Sequence, residues 1–163
     1  MRQQFVGVSS NSIDLVEMFT TANSFFNSAI YCSKAENSFY KGFDTPVIVN
    51  LAFACEIYIK MLLIFENNKT MRSHDLFELF QKLSDDKQKN INNRMLQLGY
   101  KQNNGMEMNE LYCLAKSFEQ WRYRYEYSIL NCNMGYLTTF ATVLRDQCSE
   151  DIFNSMPDVI EVK

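Results

Sequence analysis

Histidine occurs once in this chain, at His74, and proline only twice. A zinc centre draws on several imidazoles or clustered thiols, so no metal site and no cofactor is expected. The five cysteines, Cys32, Cys55, Cys113, Cys132 and Cys148, are odd in number and scattered, without a C-x-x-C pair. They read as small buried hydrophobes in a reducing compartment rather than as a disulfide framework. Five glycines and little strict apolar/polar alternation leave a sheet with neither turns nor strands to build on. An excess of basic charge is missing too. The net charge of −3 and pI near 5.2 exclude a protein that coats nucleic acid non-specifically, while leaving room for a local basic patch. The opening MRQQFVGVSSNS holds no apolar core of signal-peptide length, which points to a cytoplasmic location.

What the chain has is apolar mass. Of 163 residues 47% are apolar and 21% charged, as expected of one globular domain over 1–163, with its core at about 11–147 and an acidic tail at 149–163. The longest apolar run is PVIVNLAFACEIYIKMLLIF, residues 46–65. Thr45 reads as its N-cap and Pro46 as its first helical residue. Apolar on every side of a helical wheel, it belongs at the centre of a bundle. It has the length of a membrane span. Asn50, Glu56 and Lys60 argue against one, since a central charge costs about 2.5–3.5 kcal/mol on insertion scales.

Other segments follow the same helical period. Leu15, Met18, Phe19, Ala22, Phe26, Ala29 and Ile30 predict a first helix, capped at Asn11 or Ser12 and carried to about Tyr40, where Gly42 stops it. Ser73 reads as the cap of a short helix with the stripe Leu76, Leu79, Phe80 and Leu83, and Asp75 in its first turn. Ser84 caps a segment at 85–98. Its Lys87, Lys89 and Arg94 read as a solvated, locally basic face. Residues 99–108 read as a loop. A fifth helix is expected at 109–129, and a sixth at 134–147 after a break at Asn131 to Asn133. A short helical piece is expected at 151–155. The fold class is therefore all-α, an antiparallel bundle of about five to six helices.

Charges inside the apolar helix need partners. Glu56 and Lys60 are one turn apart in the favourable order. Arg122 and Glu126 have the same spacing on the expected fifth helix. Packed together, the two helices would form a cluster of Glu56, Lys60, Arg122 and Glu126 that sets helix register. Arg124, Tyr123 and Tyr127 lie off that face. An Arg among tyrosines suits phosphate contact with base stacking, and also suits a plain solvated helix surface.

Three phrases, NLAFACEIYIKMLL, SHDLFELFQKL and SFEQWRYRYE, together resemble the bacterial HEPN domain family, whose pattern runs A-C-E-x-x-x-K, then H-D-L, then W-R-Y-x-Y-E. The resemblance spans roughly residues 10–147. It implies a helical bundle, usually dimeric. It also implies one of two activities: a metal-independent RNA endonuclease of toxin–antitoxin or antiphage systems, or a non-catalytic module binding RNA, a nucleotide or a protein partner such as an antitoxin. Family nucleases carry an Arg followed closely by a His on the later core helix. Here no His follows Arg122 or Arg124, so His74 would have to serve beside them as the base. The expected reading is an RNA- or nucleotide-directed interaction module, with the unconventional endoribonuclease using Arg122, Arg124 and His74 as the alternative.

Overall fold

The computed structural model describes residues 14–34, 44–67, 72–100 and 106–155. Among these residues every regular element is helical. The helices are α1 (Leu15–Lys34), α2 (Asp44–Asn67), α3 (Leu76–Phe80), α4 (Asp85–Gln97), α5 (Met106–Leu114), α6 (Ser117–Arg122) and α7 (Met134–Ser155), with a 3-10 turn at Arg124–Glu126.

Helix α2 is the axis of the bundle. It packs against α1, α7, α6 and α3, and Val47, Ile48, Leu51, Ala52, Cys55, Tyr58, Ile59 and Leu62 are buried around its circumference. Although Asp44–Glu66 is long and apolar enough to cross a bilayer, here its apolar surface is mostly covered by neighbouring helices. The helix begins at Asp44, so Thr45 lies inside its first turn rather than capping it. Pro46 is the third residue of α2 as described, near its N-terminal end, where proline is tolerated. The Tyr58 hydroxyl donates to Asn23 Oδ1 at 2.7 Å, tying α2 to α1.

Helix starts follow side-chain chemistry more finely than the spacing suggested. Asp14 caps α1, its Oδ1 accepting from the Val16 and Glu17 amides. The expected caps Asn11 and Ser12, and the expected extension of α1 to Tyr40, lie outside the described residues. Asp75, not Ser73, caps α3: its Oδ1 accepts from the Glu78 amide at 2.9 Å. Ser73 instead donates to Glu78 Oε2 and accepts from the Asp75 amide. Ser84 caps α4 as expected. That helix closes in a Schellman turn, with the Gly99 amide bonded to the Leu96 carbonyl and the Tyr100 amide to that of Met95. Gly99 sits at φ +95°, a conformation that favours glycine.

The largest departure is at 109–129, where one long helix is replaced by α5, α6 and the 3-10 turn. Two causes are visible. The Ala115 carbonyl accepts from the Leu76 amide at 2.8 Å, so it is engaged by α3 just where an unbroken helix would need it. Beyond Trp121 the sequence offers no buried residue until Tyr136, so no apolar stripe holds a helix down. Helix α7 runs the other way. It extends through 148–155 without the expected break, because Cys148 is buried in the core and Glu150 and Asp151 pair with Arg94 and Lys87 of α4.

All five cysteines are free. Cys55 and Cys148 are buried and Cys32 and Cys132 half-buried, as small hydrophobes should be. Cys113 is exposed and does not fit that expectation.

Candidate functional site

The buried carboxylate of α2 has found partners, but not those the spacing suggested. Glu56 is only 2% exposed. Its Oε1 accepts from Lys60 Nζ at 2.7 Å, one turn along the same helix. The third member of the cluster is His74, whose Nδ1 lies 3.0 Å from Oε1 and 3.1 Å from Oε2. The imidazole reaches Glu56 from the extended residues ahead of α3. Its side chain is 54% exposed, against 3% for that of Glu56. A carboxylate at Nδ1 orients the ring and selects the tautomer, leaving Nε2 to face outward. Among the described residues, Nε2 has no hydrogen-bond partner.

Arg122 and Glu126 do not join this cluster. Helix α6 ends at Arg122, and Glu126 lies in the 3-10 turn, so the two no longer share a helix face. Glu126 is exposed. The Arg122 guanidinium lies 4.9 Å from the centroid of Phe118 and 5.0 Å from that of Tyr123, and it donates to the Tyr123 hydroxyl at 2.7 Å. The expected four-charge cluster is thus a Glu56–Lys60–His74 trio, and Arg122 is held by aromatic faces.

Phe118 nonetheless brings His74 and Arg122 to one place. The His74 ring lies 6.0 Å from the Phe118 centroid, and the Arg122 guanidinium 4.9 Å from it. Imidazole and guanidinium are therefore no farther apart than those two distances laid end to end. Phe118 is anchored from below. It stacks on Phe53 of α2 at 4.7 Å, and Phe53 meets Phe25 of α1 edge-on at 4.6 Å. Phe53 and Glu56 are three residues apart on α2, hence on one face, which offers a ring to Phe118 and a carboxylate to His74.

Past Arg122 the chain is a surface strap. Arg124 lies over Trp121 at 5.3 Å. Tyr123 and Tyr127 are exposed, with Tyr125 at 82% and Ile129 at 78%. Tyr123 and Tyr125 meet edge to face at 6.4 Å. The surface thus combines two guanidinium groups on aromatic platforms with three accessible phenol rings, beside an oriented imidazole. It can neutralise phosphate and stack bases. Among the described residues no group of His, Cys, Asp or Glu is arranged to hold a metal ion.

Comparison with protein-family models, with curated proteins and with solved structures finds no match to this chain.

Proposed function

We propose that this chain is a HEPN-like helical domain that acts as an RNA- or nucleotide-directed interaction module in bacterial defence or stress. The observation that carries the reading is the placement of Arg122, Arg124 and the tyrosines of 123–127 on one exposed strap. Guanidinium groups pre-oriented on rings bind phosphate with less entropy lost than free side chains would, and phenol faces stack on any base. The net charge of −3 fits a local contact rather than non-specific coating. The proposal includes a cytoplasmic homodimer, with a protein partner such as an antitoxin also able to meet the exposed aromatic surface. Fluorescence anisotropy with a labelled single-stranded RNA tests the binding. Saturable binding that weakens with salt and falls in Arg124→Ala supports the reading, and no binding at low salt ends it. Light scattering tests the dimer against the 19.2 kDa chain mass.

One specific observation favours the alternative, a metal-independent endoribonuclease. His74 is oriented by a buried carboxylate and shares Phe118 with Arg122. In that reading Nε2 takes the proton of a ribose 2′-hydroxyl as its oxygen attacks the adjacent phosphorus, the guanidinium of Arg122 meets the charge gathering on the phosphate, and the P–O5′ bond breaks with the departing 5′-oxygen taking a proton from water. Cleavage in the presence of a chelator, with 2′,3′-cyclic phosphate ends and loss in His74→Ala, would establish it over the binding module.

A further inference from the structure

A concavity lies on the flank of α6 opposite Phe118 and Arg122. It has a volume of about 240 Å³ and is lined by Asp75, Tyr112, Cys113, Ala115, Lys116 and Gln120. Gln120 is two residues from both Phe118 and Arg122, so it faces away from the side of α6 that carries them. Asp75 directly follows His74, and the bond from the Leu76 amide to the Ala115 carbonyl clamps the start of α3 to the α5–α6 junction. The two sites are therefore joined through the start of α3 and through α6.

We infer that this concavity is a guanine-recognition pocket, an inference that deepens the proposed RNA-directed reading and rests on it. The donor and acceptor pattern is the argument. Asp75 spends one lone pair of Oδ1 on the Glu78 amide, which holds the carboxylate in place. Further lone pairs on Oδ1 and those of Oδ2 stay available, since a carboxylate offers about four acceptor sites. Guanine presents N1–H and N2–H side by side, and a carboxylate accepts both at once. Adenine and cytosine turn a ring nitrogen lone pair toward the same carboxylate, which repels it. Lys116 is exposed and has no ion-pair partner among the described residues, so its ammonium can donate to guanine O6. The Gln120 amide offers a further donor toward O6 or N7. Tyr112 supplies the stacking wall. Its ring is exposed and is held edge-on by Phe77 at 5.5 Å and 89°.

The test uses the full chain and oligouridine RNAs carrying one central guanosine, inosine or adenosine. Guanosine should bind about tenfold more tightly than adenosine, with inosine between them because it keeps N1–H and lacks the N2 amino group. Asp75→Asn retains helix-capping ability and replaces the paired acceptor by an amide, so it should abolish the preference for guanosine over adenosine. Equal affinity for all three RNAs, or a guanosine preference that persists in Asp75→Asn, overturns the pocket and leaves the RNA-binding reading standing. Ligand-observed NMR with free GMP, IMP and AMP covers the case in which no RNA binds. GMP contact that is lost in Asp75→Asn still supports the pocket, and absence of GMP contact overturns it.

Discussion

Glu56 and His74 are 18 residues apart in the chain and 3.0 Å apart in space, a buried carboxylate gripping an imidazole that is more than half exposed. The pair joins the core of the bundle to its surface. One end is sealed among apolar side chains and the other meets solvent.

Breaking it from the buried side should cost most. Glu56 is also the buried half of the ion pair with Lys60, and removing one member of a buried ion pair costs about 3–5 kcal/mol. Glu56→Gln should fall below that range, because Lys60 and His74 both reach solvent once released. His74→Ala should cost less again, since Glu56 keeps Lys60 at 2.7 Å. A double-mutant cycle by urea denaturation should show Glu56 and His74 coupled by about 0.5–3 kcal/mol. The corresponding cycle for Glu56 with Arg122 should be additive. Coupling in the second cycle and none in the first would contradict the observed pairing.

Arg122→Ala and Arg124→Ala should behave as surface changes. Each removes a guanidinium lying on rings at an exposed site, a contact worth about 0.5–1 kcal/mol. Melting temperatures should move little, while RNA affinity measured by anisotropy falls. A large loss of stability in either variant would place the side chain in the core instead.

Alkaline pH should weaken the fold. Burial pushes the Cys132 thiol up from 9.0 to about 12. The buried Cys55 and Cys148 thiols and the Tyr58 phenol also move upward, chiefly through desolvation. Each group is neutral when protonated and has a raised folded-state pKa, so the unfolded chain loses its proton first. Stability is full below about pH 9 and declines between about 9 and 12. Cys132→Ala should flatten the part of that decline due to Cys132, as read from melting temperature against pH. An unchanged slope would show that Cys132 titrates alike in both states.

Helix α4 tests which forces hold a polar helix. Lys87–Asp151 and Arg94–Glu150 link it to α7, and Asn90 donates to Gln147. Its buried contacts are Ile91 and Met95. The exposed Arg94–Glu150 pair contributes about 0.2–1 kcal/mol and the half-buried Lys87–Asp151 pair somewhat more, whereas Ile→Ala in a core costs about 2–5 kcal/mol. Ile91→Ala should therefore raise amide exchange throughout α4 more than Lys87→Ala and Arg94→Ala combined. The reverse order would make the ion pairs the principal clamp.

The all-helical class, the central position of α2 and the need for charged partners at Glu56 were legible from spacing and composition. The cap of α4 was legible too, because Ser84 stands directly before a run with a clear stripe. The break after Leu114 was not. It depends on a backbone bond between Leu76 and Ala115, 39 residues apart, which no local pattern announces. That break moved Arg122 off the expected face and left Glu56 to His74. Periodicity extrapolates a helix through Tyr125 and Ile129 because they fall at helical intervals, yet both are exposed. Only tertiary burial distinguishes a stripe that packs from one that merely has the right interval. The pocket beside α6 was equally hidden, since its residues come from three segments that the same break brings together.

The strap from Tyr123 to Ile129 has a consequence for how such a protein changes over generations. Its side chains are exposed, and none belongs to the buried cluster built around α2. Substitutions there carry little penalty in folding, so selection for a new target can act on them nearly unopposed. Glu56 lies under the opposite constraint, because a change there disturbs its neighbours in the interior. Descendants of this chain should therefore diverge fastest along the strap and keep the buried carboxylate, a slow anchor within a fast-changing molecule.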